Sequence, residues 1–142
     1  VWGDPALYDS TLRILQAILA SGACAFEYEV IPGITSVQAL AAQHKVALNQ
    51  IGGSIEITTG RRLAAGQVSD AGSLVVMLDA QDAYHQVADR ETDIYWGAYL
   101  GTPDEILISG KLKDVADEIE RVRKAARLAH GWIMDTYLLR KP

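Results

Sequence analysis

The chain has 142 residues, 49% of them hydrophobic and 22% charged, with a formal net charge of −5. That length suffices for a buried core, and the acidic balance argues against nucleic-acid binding driven by overall charge. Cys24 is the single cysteine, which excludes an intrachain disulfide and a cysteine-cluster metal site and fits a reducing, cytoplasmic setting. No apolar run approaches the roughly 20 residues of a membrane-spanning helix, so no membrane partner is expected.

Val1-Trp2-Gly3-Asp4-Pro5 reads as the end of a strand, with no initiator Met, so the chain is expected to continue upstream. Asp9 or Ser10 can cap a helix carrying Leu12, Leu15, Ile18 and Leu19 at helical spacing, which Gly22 ends. Phe26–Ile31 alternates like a strand. Pro32-Gly33 stops it, and Thr35 with Gln38 three residues on begins a helix to about His44. Ser54–Thr59 alternates Ile55 and Ile57 against Glu56 and Thr58, a half-buried strand. Gly60-Arg61-Arg62 opens a short helix or turn. Leu74–Leu78 is a continuous apolar run, the pattern of a central strand covered on both faces.

Gln81–Arg90 reads as a helix burying Tyr84, Val87 and Ala88. Ile94–Leu100 and Glu105–Ser109, joined by Gly101-Thr102-Pro103-Asp104, should pair antiparallel. Lys111–Ala129 is the clearest helix, with Leu112, Val115, Ala116, Ile119, Val122 and Ala126 as one stripe and its charges on a solvated face. Gly131 breaks it, and Trp132–Leu139 reads as a last strand. The expected architecture is α/β: residues 1–50 the end of one domain, 51–142 a complete second domain with a mixed sheet of about five strands. Taken alone, the first segment is expected to lack cover, the second to fold by itself, and the chain to have little activity.

His44, His85 and His130 are widely spaced, so no metal site is expected. There is no P-loop, no G-x-S-x-G and no dinucleotide fingerprint. What remains is a set of strand-end turns: Trp2–Pro5, Gly33–Ser36, Met77–Asp79 and Leu100–Pro103. In open α/β sheets ligands sit beyond the carboxyl ends of strands, where glycine lets them approach the backbone.

Those turns carry a resemblance. Val1–Ser10, containing Gly3-Asp4-Pro5, resembles the "GDP" motif of the tetrapyrrole (corrin and porphyrin) methyltransferases. Val30–Ala42, Val75-Val76-Met77 and Leu100–Leu112 resemble that family in the same order, over essentially the whole chain. Within it, Ile57–Leu63 and Gly131–Leu139 are most similar to the member of cobalamin synthesis that methylates precorrin-5 at C-1 and releases acetate. The resemblance implies two α/β domains with S-adenosylmethionine between them, a tetrapyrrole substrate, and a homodimer as the expected assembly. It also implies that Gly3, Asp4, Thr35 and Ser36 touch the cofactor from the first domain, and Met77 and Gly101 from the second. Arg61 and Arg62 would meet substrate carboxylates; the base of the deacylation is not identified by these residues, with Asp4, Tyr8 and a residue upstream of Val1 as the candidates. Each residue also has a plainer reading: Asp4 as turn cap, Thr35 as helix cap, Met77 as core filler, the arginines as solvated charges. A non-catalytic module binding a nucleotide or anion at the same turns is the competing class, and within the family another tetrapyrrole or a non-tetrapyrrole substrate is the alternative.

Overall fold

The computed structural model describes residues 7–142, which fall into two units divided between Thr35 and Ser36. The expected strand end at Val1–Pro5, with Gly3 and Asp4, lies outside the described residues.

The first unit holds one helix, α1 (Thr11–Ser21). Asp9 Oδ1 accepts the Thr11 N–H at 2.6 Å, and Gly22 closes the helix at φ 68°. Leu12, Leu15, Ile18 and Leu19 are half-buried, as their spacing requires, and none is fully buried. The strand expected over Phe26–Ile31 is not formed. Alternation supplies β propensity, but a strand exists only as a paired ladder, and among the described residues no segment pairs with this one.

The second unit begins with α2 (Ser36–His44), which buries Val37 and Leu40. After a connector come β1 (Ile55–Thr59), α3 (Gly60–Ala64) and β2 (Ser73–Met77). A 3₁₀ turn at Ala83–Gln86 leads to β3 (Asp93–Ala98), β4 (Ile106–Lys111), α4 (Leu112–His130) and β5 (Asp135–Arg140). The strands form one sheet in the order β1-β2-β5-β3-β4. β1 and β2 are parallel and the other pairs antiparallel, so the sheet is mixed and β2, which takes in Leu74–Met77 of the expected run, is interior; Leu78 leaves the strand and is 65% exposed. One face carries Leu74, Val76, Ile94, Trp96, Tyr137 and Leu139 into a core closed by α4 and flanked by Leu63 of α3. On the other face α2 lies over the centre, where Val75 and Leu138 are fully buried.

Two expectations are corrected here. In β1 the buried residue is Thr58, while Ile55 and Ile57 remain 39% and 40% exposed. Period-two alternation says that the two faces differ, not which one is covered. On this edge strand the face toward the main core carries the threonine. The helix expected over Gln81–Arg90 is reduced to the single 3₁₀ turn. Asp79 takes the N–H groups of Gln81 at 2.9 Å and Ala83 at 2.8 Å, Asp82 sits at φ 53°, and Val87 is extended. Side-chain capture of backbone donors has displaced the helical ladder. Tyr84 is buried as expected, but Ala88 is exposed.

Candidate functional site

Because β1 and β2 are parallel and β5 runs against both β2 and β3, the carboxyl ends of β1, β2 and β3 share one edge. Met77 and Gly97 lie on either side of Thr136 in the sheet. The turns that follow β2 and β3 therefore meet where β5 begins. Both turns carry backbone in the left-handed region at residues with side chains: Leu78 at φ 53° and Tyr99 at φ 52°. Leu78 is also 65% exposed, so its burial does not offset the strain. Strain of this kind persists only where surrounding contacts impose it, and it concentrates at ligand sites.

Gly101 is at φ 75°, and a Cβ there would meet no atom within 4 Å. Conformation, not crowding, requires this glycine. Its N–H is committed to Glu105 Oε2 at 2.7 Å. Tyr99 is held by its hydroxyl, which donates to Trp132 O at 2.5 Å, and by a T-shaped contact with the Trp132 ring. Trp132, Met134 and Leu78 leave apolar surface exposed around this edge.

The structure brings Met77 and Gly101 to that edge, and Ser36 toward it. A Cβ built on Gly97 would lie 2.8 Å from Leu40 Cδ1, and His44 Nε2 lies 2.9 Å from Trp96 O. α2 thus runs against β3, and its first residue points to the carboxyl end. His44 is a structural histidine, over the Tyr95 ring as well. Thr35 and Tyr8 belong to the first unit; Tyr8 is half-exposed at φ 54°. Arg61 and Arg62 start from the same end of the sheet, since Thr59 pairs with Met77 and caps α3. Both arginines are exposed, and the Arg62 guanidinium donates to Gln67 O at 3.0 and 3.2 Å.

Beneath the edge lies a buried polar network around Arg123, one of the helix charges expected on a solvated face. Arg123, on α4, is 8% exposed. It donates to the Asp79 carbonyl, to Asp135 Oδ2 at 2.9 Å and to Asp82 Oδ1 at 3.3 Å. Trp96 Nε1 donates to the same Asp135 oxygen at 3.0 Å. Tyr137 donates to Asp79 Oδ2 at 2.7 Å and Tyr84 to Asp82 Oδ1 at 2.9 Å. Burial pushes the Asp135 carboxyl above the usual carboxylate range, against the pull of the guanidinium. Burial, then Asp79, pushes the Tyr137 phenol up, and burial, then Asp82, does the same for Tyr84. A signal was present: Arg123 stands four residues after Ile119 and three before Ala126, inside the apolar stripe.

Among the described residues no cluster of His, Cys, Asp or Glu could hold a metal ion, and no helix is long and apolar enough to cross a membrane.

The family of tetrapyrrole (corrin/porphyrin) methylases matches residues 1–116. The chain belongs to that family. A precorrin-6A synthase [deacetylating] from Sinorhizobium sp. is 57% identical over 141 residues, covering 99% of this chain and 54% of that protein. The crystal structure of a cobalamin synthesis related protein (CobF) from Corynebacterium diphtheriae is 45% identical, with a TM-score of 0.92 over 99% of this chain and 59% of that one. A uroporphyrin-III-C-methyltransferase from Thermus thermophilus, 24% identical, shares the fold with a TM-score of 0.68 over 98% of this chain and 58% of that one. The chain thus spans little more than half the length of these methylases. The α/β architecture with its mixed sheet is that of the tetrapyrrole methylases, as the sequence motifs implied.

Proposed function

We infer that the chain works as a S-adenosylmethionine-dependent C-methyltransferase of corrin synthesis. The reaction converts precorrin-5 to precorrin-6A by methylation at C-1, with water consumed and acetate released. The identity of 57% to a precorrin-6A synthase across nearly the whole chain carries this reading. In it, residues 1–50 end the first domain and 51–142 form the second, with α2 resting on the second domain's sheet.

The edge suits an adenosyl group. Leu78 has strained backbone and stands 65% exposed, and Gly101 leaves the opposite turn without a Cβ. Met77 and Gly101 would hold the cofactor from the sheet, Ser36 from the start of α2, and Gly3, Asp4 and Thr35 from the first domain. When bound, the cofactor supplies an electrophilic methyl group on sulfur. The protein's part is then alignment and exclusion of water, which needs rigid turns more than a strong base. Both arginines are exposed at the sheet's carboxyl end, and because the Arg62 guanidinium is engaged by Gln67 O, Arg61 is the better placed to pair with a substrate carboxylate.

Full-length protein, precorrin-5 and methyl-labelled S-adenosylmethionine should give a tetrapyrrole that gains the label, together with free acetate. In the same assay Arg61→Ala should raise KM for precorrin-5 by about tenfold and leave KM for the cofactor unchanged, the scale of one charge-assisted contact. Label without acetate would move the reaction to another position on the macrocycle. No label on the tetrapyrrole would refute the reading.

A further inference from the structure

The 79–83 loop is wrapped around its own carboxylate, with the N–H groups of Gln81 and Ala83 on Asp79. Its two ends are then tied to one guanidinium: Arg123 donates to the carbonyl of Asp79 and to the carboxylate of Asp82. The third arm reaches Asp135, the first residue of β5, which neighbours both β2 and β3. Leu78 and Asp82, both at φ 53°, flank this tie. A planar fork with fixed donor directions can hold three acceptors from three places at once, which a lysine ammonium on a flexible stem cannot do with the same geometry. Buried Arg123 has no access to a ligand of its own.

We propose that Arg123 is a positioning residue that sets the left-handed backbone of Leu78 and thereby the cofactor-facing turn Met77–Asp79. This rests on the methyltransferase reading only for the identity of the ligand; the positioning itself is a property of the unliganded chain. Removing the fork lets the strained turn relax toward ordinary backbone, so the groups it presents no longer meet the ligand together.

The test uses amide hydrogen exchange of the unliganded full chain and calorimetry with S-adenosylhomocysteine. Arg123→Lys keeps the charge and loses the fork. Trp96→Phe removes a different bond to Asp135, at a fully buried ring, and serves as the control for lost stability. In Arg123→Lys, exchange at residues 77–81 should quicken about tenfold relative to β3, and affinity should fall about tenfold, the scale of one hydrogen bond to a charged group. Trp96→Phe should melt lower with both readouts nearly unchanged. Should Arg123→Lys not fold, Asp82→Asn takes the charge from one arm and leaves a weaker neutral hydrogen bond, at a site where asparagine tolerates the backbone, and should give a smaller loss of the same kind. Unchanged affinity in Arg123→Lys, or an equal loss in Trp96→Phe, would overturn the proposal. A wild-type chain that does not bind S-adenosylhomocysteine would sink the cofactor reading instead. The exchange at 77–81 would then decide the positioning role alone.

Discussion

Replacing Arg123 by Met should destabilise the protein by about 3–5 kcal/mol, among the largest losses a single substitution can cause. The stem is roughly conserved, so the loss comes from what the guanidinium leaves behind. The Asp135 side chain is only 5% exposed and would keep one donor, Trp96. The Asp79 carbonyl and Asp82 would also lose a partner. The pH dependence has a definite sign. Burial already raises the Asp135 carboxyl above the ordinary carboxylate range, and without the guanidinium it should rise further. A raised folded-state value means that folding opposes ionisation. The variant's deficit is therefore full above that value and shrinks as the pH falls toward the unfolded one. Urea unfolding should show a smaller gap between variant and wild type at about pH 5 than at about pH 8. Adding Asp135→Asn should restore part of the loss by removing the stranded charge. A gap below about 1 kcal/mol, the worth of an exposed ion pair, would mean that the network is not a buried unit.

Gly60→Ala should cost about 1–3 kcal/mol, although alanine is the better helix former. A Cβ on Gly60 would stand 2.5 Å from Asp79 Cγ and Oδ1. That carboxylate cannot swing aside cheaply, because it holds two backbone N–H groups and the Tyr137 hydroxyl. Either α3 lifts from the sheet or Asp79 gives up partners, and both disturb the turn after β2. Thermal unfolding should show the loss, and hydrogen exchange should place it at residues 79–83. By contrast, the atoms a Cβ on Gly97 would strike first are the ends of Leu100 and Leu40, which can rotate. Gly97→Ala should be milder and confined to α2 and the turn after β3. A neutral Gly60→Ala would show that the contact with Asp79 is not tight.

Most of the second unit could be read from residue patterns, because its elements carry their own partners. The apolar run from Leu74 to Met77 had to be covered on both faces, the 112–126 stripe had to face a core, and the short 101–104 turn forced β3 and β4 to pair. What the patterns missed depends on partners far away in sequence. Phe26–Ile31 has strand composition, but pairing lies outside that composition. Helical spacing over 81–90 says nothing of Asp79 and Asp82, whose carboxylates and backbone bend the loop another way. For the site, the strand-end turns were visible as Met77-Leu78-Asp79 and Gly101-Thr102-Pro103. The left-handed backbone of Leu78 was not, since leucine carries no preference for it. Arg123 was legible in place but not in role: its position in the stripe says buried, while its acceptors come from β5 and the loop after β2.

In the proposed function the carboxyl edge of this sheet holds the adenosyl cofactor of methyl transfer. Calorimetry of the full-length protein with S-adenosylhomocysteine and, separately, ATP tests it most directly. Both ligands carry adenosine, and only one carries the amino-acid tail in place of phosphates. The account predicts saturable binding of S-adenosylhomocysteine and none of ATP. Binding of ATP alone would contradict it and leave a nucleotide-binding module in its place.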